Sequence, residues 1–210
     1  MWTNFKTALQ RKFREEKQTT LAFTLLFTGS LVGLFASFVL SVEAITLAHN
    51  ANAVLSCSIN EALNCAAVGS HPSAALFGFP NAFVGMMAFP VLVTIAVAGL
   101  AGVKFPRWFM ALAQVGTLLG VVFAVWMFYM SYSVIQVLCP WCLTLDAAMV
   151  VVAFAMWRYT VWHNTFRISK QAAGRLERFS AKSYDLLVVL LVVVAALAAV
   201  FLKFSETLFS

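Results

Sequence analysis

Five apolar stretches, at roughly 21–47, 80–103, 108–138, 141–157 and 184–204, constrain this chain more than anything else in it. Each holds on the order of 20 residues, enough for a helix to cross ~30 Å of hydrocarbon at ~1.5 Å per residue. The first and third are longer and are expected to project beyond the lipid on one side. The composition agrees: 62% of residues are hydrophobic, 10% are charged, and the mean hydropathy is +0.90. That is too little polar surface for a soluble domain of 210 residues. The expected fold class is an all-α integral membrane protein with five transmembrane helices.

The basic residues orient those helices. All but one of the 14 Lys and Arg residues lie in the N-terminal segment, at Lys104 and Arg107, or between Arg158 and Lys182. The exception is Lys203, and the 49–79 loop contains no Lys or Arg. Basic loops stay on the cytoplasmic side, so the N-terminus is expected in the cytoplasm and the C-terminus outside. The net charge of +6 is anchoring charge. It does not indicate nucleic acid, because no basic stripe with interleaved aromatics stands on a soluble surface. The first span is too long for a cleavable signal peptide and lacks a small-residue cleavage site in a polar flank. The expected organisation is a cytoplasmic segment at 1–20, a four-helix core at 21–160 with an outer loop at 49–79, a connector at 161–183, and a fifth helix with a short outer tail at 184–210. The connector sequence HNTFRISKQAAGRLERFSAK reads as a solvated linker or a short amphipathic helix on the anionic leaflet.

Four cysteines stand in two close pairs, Cys57 with Cys65 and Cys139 with Cys142. On this topology all four lie on the outer, oxidising side, where disulfides persist. In LCPWCLTL, Pro140 suits an early helical position, where its missing N–H costs nothing. Cys139 then sits at the helix N-terminus, whose orphan N–H groups and positive dipole end favour a thiolate. Cys142 lies one turn deeper. One thiol faces water while its partner faces the bilayer, an arrangement suited to passing electrons from an aqueous dithiol to a lipid-soluble acceptor. A structural disulfide or two inert thiols is the competing reading. The loop pair, CSINEALNC, is spaced so that a short helix or two turns could bring the sulfurs within bridging distance. A plain loop staple fits equally. A four-cysteine zinc site fits poorly with an oxidising side and unequal spacings, so no metal is expected.

CSINEALNCAAVGS, then LFGFPNAFVG opening the second span, then CPWC opening the fourth, together resemble the vitamin K epoxide reductase family over roughly residues 21–160. The resemblance implies a four-helix bundle around a quinone, capped by the loop that carries the first cysteine pair. It implies that Cys139 and Cys142 form the active disulfide, with Cys142 beside the quinone ring, and that Cys57 and Cys65 shuttle electrons in from a partner. Asn81 matches the family asparagine that hydrogen-bonds a quinone oxygen, and Ser70 falls in the serine-containing stretch after the second loop cysteine. The chain departs from the family at Asp146, where animal members have tyrosine, and at His71, where many have a second serine. Many bacterial members also carry a thioredoxin-like domain after a fifth span. Here six residues follow that span, so the redox partner is expected to be a separate protein or subunit.

Other residues carry competing readings. Asp146, one turn below Cys142, is a costly carboxyl group within the membrane. It could donate a proton to a reduced quinone, or simply hydrogen-bond a neighbouring helix. Glu43 reads as a partly hydrated residue at the outer end of the first span, and His71 as a loop residue without a role. Gly29 with Gly33 and Gly116 with Gly120 read as close-packing pairs between helices. Trp141 stands out because it separates the two helix cysteines.

The function expected from these features is a quinone-dependent thiol oxidase of the cytoplasmic membrane. A reduced extracytoplasmic DsbA-like thioredoxin-fold protein would deliver electrons to Cys57 and Cys65. They would pass to Cys139 and Cys142, and then to menaquinone or ubiquinone, supporting disulfide formation outside. Cys142 would attack the quinone ring and Cys139 would resolve the product. A quinone or quinone-epoxide reductase is the alternative within the same class. A transporter with a structural disulfide and Asp146 in its pathway is the alternative outside it, although neither paired inverted repeats nor broken helices are evident.

Overall fold

The computed structural model describes residues 2–55, 57–58 and 62–208. Parts of the first loop motif, at 56 and 59–61, and the last two residues of the expected tail lie outside the described residues. Among the described residues there is no strand, and five helices are long and apolar enough to cross a membrane. The all-α membrane fold expected from the sequence is the fold observed.

Helix α1 spans Trp2–His49 and α2 is a single turn at Cys65–Gly69. Helices α3, Ala82–Leu100, and α4, Arg107–Tyr129, follow one another through a short turn. Helix α5 covers Pro140–His163, α6 covers Lys170–Ala181, and α7 covers Tyr184–Leu208. The third span changes winding before it ends. A π-helical turn at Met130–Ile135 follows α4, and Gln136, in the left-handed region at φ 58°, stops it. The connector is partly helical: the Ser169 hydroxyl accepts the Ala172 N–H at 3.3 Å and starts α6.

Helix α1 is the spine of the bundle, packed between α3 and α5, while α4 closes against α5. Its buried stripe includes Ala22, Leu26, Ser30, Ala36 and Ser37. Small residues let the helices approach closely. A Cβ at Gly33 would stand 2.4 Å from the Phe89 ring of α3, and one at Gly29 would stand 3.0 Å from Val151 of α5. Gly120 likewise abuts Met149, but Gly116 faces open space in a cavity rather than a neighbouring helix. Phe23, Leu26, Phe89, Ile95, Met110, Val152 and Met156 fill the core.

The basic end of the bundle holds an ion pair that the charge pattern alone does not reveal. Arg158, expected in the connector as an anchoring charge, lies inside α5 and is buried. Its Nε donates to Asp185 Oδ2 at 2.9 Å and its Nη2 to Asp185 Oδ1 at 3.0 Å. Nη2 also reaches the Ser180 carbonyl, and Nη1 reaches Gln18 Oε1. The guanidinium therefore ties α5 to α1 and to the start of α7. At the opposite end, Phe204 of α7 is buried with Ala62 and Leu138, and Lys203 lies over the Tyr132 ring.

Candidate functional site

All four cysteines collect at the end of the bundle opposite the Arg158 cluster. Cys57 and Cys65 form a disulfide with a Cα–Cα distance of 5.7 Å. Both are buried, so the loop pair is covered in this conformation. Because both sulfurs are committed to the disulfide, the nearby Glu43, Cys57 and Cys65 do not offer a set of thiolate ligands to a metal.

Cys139 and Cys142 are free thiols at the start of α5. Cys139 is the N-cap, and its Sγ accepts the Cys142 N–H at 3.3 Å. Pro140 occupies the first helical turn, as expected from its missing donor. The hydrogen bond from the Cys142 side chain holds the Cys139 thiol below the ordinary cysteine range. The N–H groups of Cys142 and Trp141 act in the same direction, while burial opposes them, as an ionised Glu43 would.

A short backbone pairing brings the two cysteine pairs together. Leu63 and Leu138 form an isolated parallel bridge. The Asn64 N–H donates to the Leu138 carbonyl at 3.0 Å, and the Leu138 N–H donates to the Ala62 carbonyl at 2.9 Å. The bridge therefore lies two residues before Cys65 in one segment of chain and one residue before Cys139 in the other. The Asn64 side chain then caps α2 by accepting the Ala67 N–H. Leu55, Cys57, Cys65, Val68 and Cys139 form one buried cluster, with Trp141 and Cys142 packed against it. Trp141 meets Phe35 of α1 edge-on, with ring centroids 5.6 Å apart.

Beneath this cluster a cavity of about 920 Å³ opens between α1, α3, α4 and α5. Cys65, Cys139 and Cys142 line its upper wall. Its other polar lining residues are Glu43, Ser70, Asn81, Thr117 and Asp146, and the rest is apolar. The size and the few converging polar groups fit a quinone ring with part of an isoprenoid tail.

The sequence-derived residues occupy this site unequally. Asp146 lines the cavity from α5, on the same wall as Cys142. Asn81 lies at the N-terminus of α3, where its Oδ1 accepts the Leu76 N–H at 3.0 Å and its Nδ2 donates to the Ser73 carbonyl at 2.7 Å. The other Nδ2 contact is the Met127 sulfur at 3.6 Å, a weak acceptor. Ser70 is exposed at the cavity edge and caps α2 through its backbone N–H. His71 shapes the backbone locally, since its Nδ1 accepts the Ser73 N–H at the start of a 3₁₀ turn.

Glu43 departs from its expected placement. Rather than a hydrated residue at a helix end, it is only 8% exposed, and its Oε1 lies 3.1 Å from Cys57 Sγ. Its seven-residue spacing from the buried Ala36, which is itself seven from the buried Gly29, is the sequence signal for that burial.

A comparison with protein-family models matches residues 24–157 to the vitamin K epoxide reductase family. A search of curated proteins found no match. The matched segment contains all four cysteines, the bridge and the whole cavity lining, and excludes α6 and α7. This chain therefore belongs to the vitamin K epoxide reductase family, multi-pass membrane oxidoreductases of disulfide-forming or quinone-linked redox chemistry.

Proposed function

We propose that the protein is a quinone-dependent thiol oxidase of the cytoplasmic membrane, with its N-terminus in the cytoplasm and its cysteines facing outside. The observation that carries this reading is the Leu63–Leu138 bridge, which sets Cys65 beside Cys139 over a cavity of quinone size. A DsbA-like thioredoxin-fold dithiol outside the membrane reduces the loop disulfide at Cys57. The Cys65 thiolate then attacks Cys139 of an oxidised Cys139–Cys142 pair, and Cys142 leaves. Cys57 closes on Cys65 and releases Cys139. The helix dithiol is now reduced, with the Cys142 sulfur on the cavity wall and the Cys139 thiolate held at the helix N-terminus.

A membrane quinone, menaquinone or ubiquinone, supplies the two-electron sink when bound. Asn81 would orient a ring oxygen through its Nδ2, and Ser70 would border the ring at the cavity mouth. Asp146, the carboxyl group on the Cys142 wall, would hold a proton for the reduced ring. The apolar lining excludes water from the exchange.

Steady-state quinone reduction by purified protein with a dithiol donor tests this reading. Wild type should turn over, and each single Cys→Ser variant should lose donor-driven turnover. Activity no higher than that of a four-Cys→Ser control would refute it and favour a transporter with a structural disulfide.

A further inference from the structure

The loop disulfide has a polar neighbour whose position the relay alone does not explain. Glu43 projects from α1 to place Oε1 3.1 Å from Cys57 Sγ, in a buried setting. The same carboxyl group lines the cavity shared with Cys139, Cys142 and Asp146. A carboxylate oxygen and a disulfide sulfur are both electron-rich, so this contact is favourable when a proton lies between them. In the oxidised loop only the carboxyl group can carry that proton. In the reduced loop the Cys57 thiol can carry it and donate back to the carboxylate. One contact thus serves both redox states with the proton on opposite sides.

We propose that Glu43 is a catalytic residue of the loop pair, giving a proton to Cys57 when that sulfur leaves and recovering it when that sulfur attacks. The proposal rests on the relay described above. When the external dithiol has formed a mixed disulfide with Cys57, its second thiolate attacks its own bridged sulfur. The bond to Cys57 breaks, the external protein is oxidised, and Cys57 leaves with the Glu43 proton as a thiol. The Cys65 thiolate next attacks Cys139, and Cys142 leaves. Cys57 then returns its proton to Glu43 as its sulfur attacks Cys65. The Cys57–Cys65 bond re-forms and Cys139 leaves as a thiolate. Two electrons have moved from the external dithiol to the helix pair, and Glu43 ends as it began.

The surroundings favour this order. Cys139 departs as an anion at the moment Glu43 becomes neutral, and an ionised Glu43 would oppose that thiolate. The other titratable groups facing this space are Cys65, Cys142 and Asp146, and among the described residues no Lys, Arg or His lines it.

Infrared difference spectroscopy on full-length Cys139→Ser/Cys142→Ser protein reads the proton directly, because only the loop pair can then be reduced. Reduction should remove a protonated-carboxyl C=O band and add carboxylate bands. Glu43→Gln should abolish that change, Glu43→Asp should shift it, and Asp146→Asn should retain it. No carboxyl change in the parent, or the same change in Glu43→Gln, overturns the proposal. In the protein with all four cysteines, Glu43→Gln should slow dithiol-driven quinone reduction on the order of a hundredfold, with partial recovery in Glu43→Asp. A Glu43→Gln rate within twofold of wild type, with the loop disulfide closed, also overturns it. Failure of the relay itself would show differently, as wild-type protein that reduces no quinone, and the infrared result would still decide the role of Glu43.

Discussion

Replacing Arg158 with Met should destabilise the fold by about 3–5 kcal/mol, the usual consequence of leaving one partner of a buried ion pair behind. The guanidinium donates two hydrogen bonds to Asp185, one to the Ser180 carbonyl and one to Gln18 Oε1. Its side chain and that of Asp185 are 6% and 4% exposed, so water does not compensate the loss. In Arg158→Met the Asp185 carboxylate would keep the Ser180 hydroxyl and the Leu186 N–H, too little for a charge removed from water. Removing both charges should cost much less, because the penalty belongs to the orphaned carboxylate. The Arg158→Met/Asp185→Leu protein should therefore lie within about 1–2 kcal/mol of wild type, far less than the summed losses of the two single variants in a double-mutant cycle. Reversible unfolding in mixed micelles, titrated with a denaturing detergent and followed by tryptophan fluorescence, measures all four corners. At ~1.4 kcal/mol per tenfold, the single variant should lose roughly two to four decades in its folding constant. A loss below about 1 kcal/mol in the single variant, or a double variant as damaged as the single, would refute the assignment of this pair as the clamp between α5 and α7.

Cys142→Ser should accumulate a Cys65–Cys139 disulfide, because the bridge gathers these cysteines into one buried cluster and the resolving thiol is gone. After cleavage near Lys104 the two fragments should run together on a non-reducing gel, and fragments that separate without reductant in folded protein would contradict the relay. An introduced cysteine at Lys170 should resist impermeant reagents in intact cells, and its labelling would reverse the assigned topology. Asp146→Asn should slow quinone reduction and alter its pH–rate profile while leaving the loop disulfide reducible by the partner; an unchanged rate and profile would remove Asp146 from the chemistry. In fully reduced protein the thiolate absorbance of Cys139 should rise at a pH below that of an ordinary cysteine and move upward in Cys142→Ala, which removes the largest stabilising contact. Since the folded-state value is depressed, the thiolate favours the reduced fold above the ordinary cysteine range, and that contribution fades as pH falls through the depressed value. An identical titration in Cys142→Ala would show that the helix terminus alone sets it.

The architecture was legible because its signals are local. Apolar run length and the uneven placement of Lys and Arg marked five spans, and Pro140 marked the start of α5. The cysteine pairs were legible as types and spacings, and the family resemblance supplied the order proposed for them. Less visible were features made by tertiary contact. The Leu63–Leu138 bridge joins two short segments of no strand-like pattern. Arg158 looked like a boundary charge because its partner, Asp185, stands 27 positions later, at the start of another helix. Glu43 looked like a helix-end residue because α1 continues beyond it to His49 and the loop folds back over it. Gly116 had the spacing of a packing residue, yet the neighbouring helix stays away and leaves the cavity.

Helix α7 is fastened at both ends and loose between them. Asp185 holds one end to Arg158, while Phe204 lodges against Ala62 and Leu138 at the other. Most of the intervening surface, from Leu186 to Leu202, faces outward. A rod held this way answers to the thickness of its bilayer: a thinner membrane makes an overlong apolar helix tilt. Tilt about the Asp185 anchor would pull on Phe204 and so on the two backbone segments that set the distance between Cys65 and Cys139. Lipid thickness would thereby bear on the Leu63–Leu138 bridge, reaching the redox pairs through a helix outside the segment that matches the family.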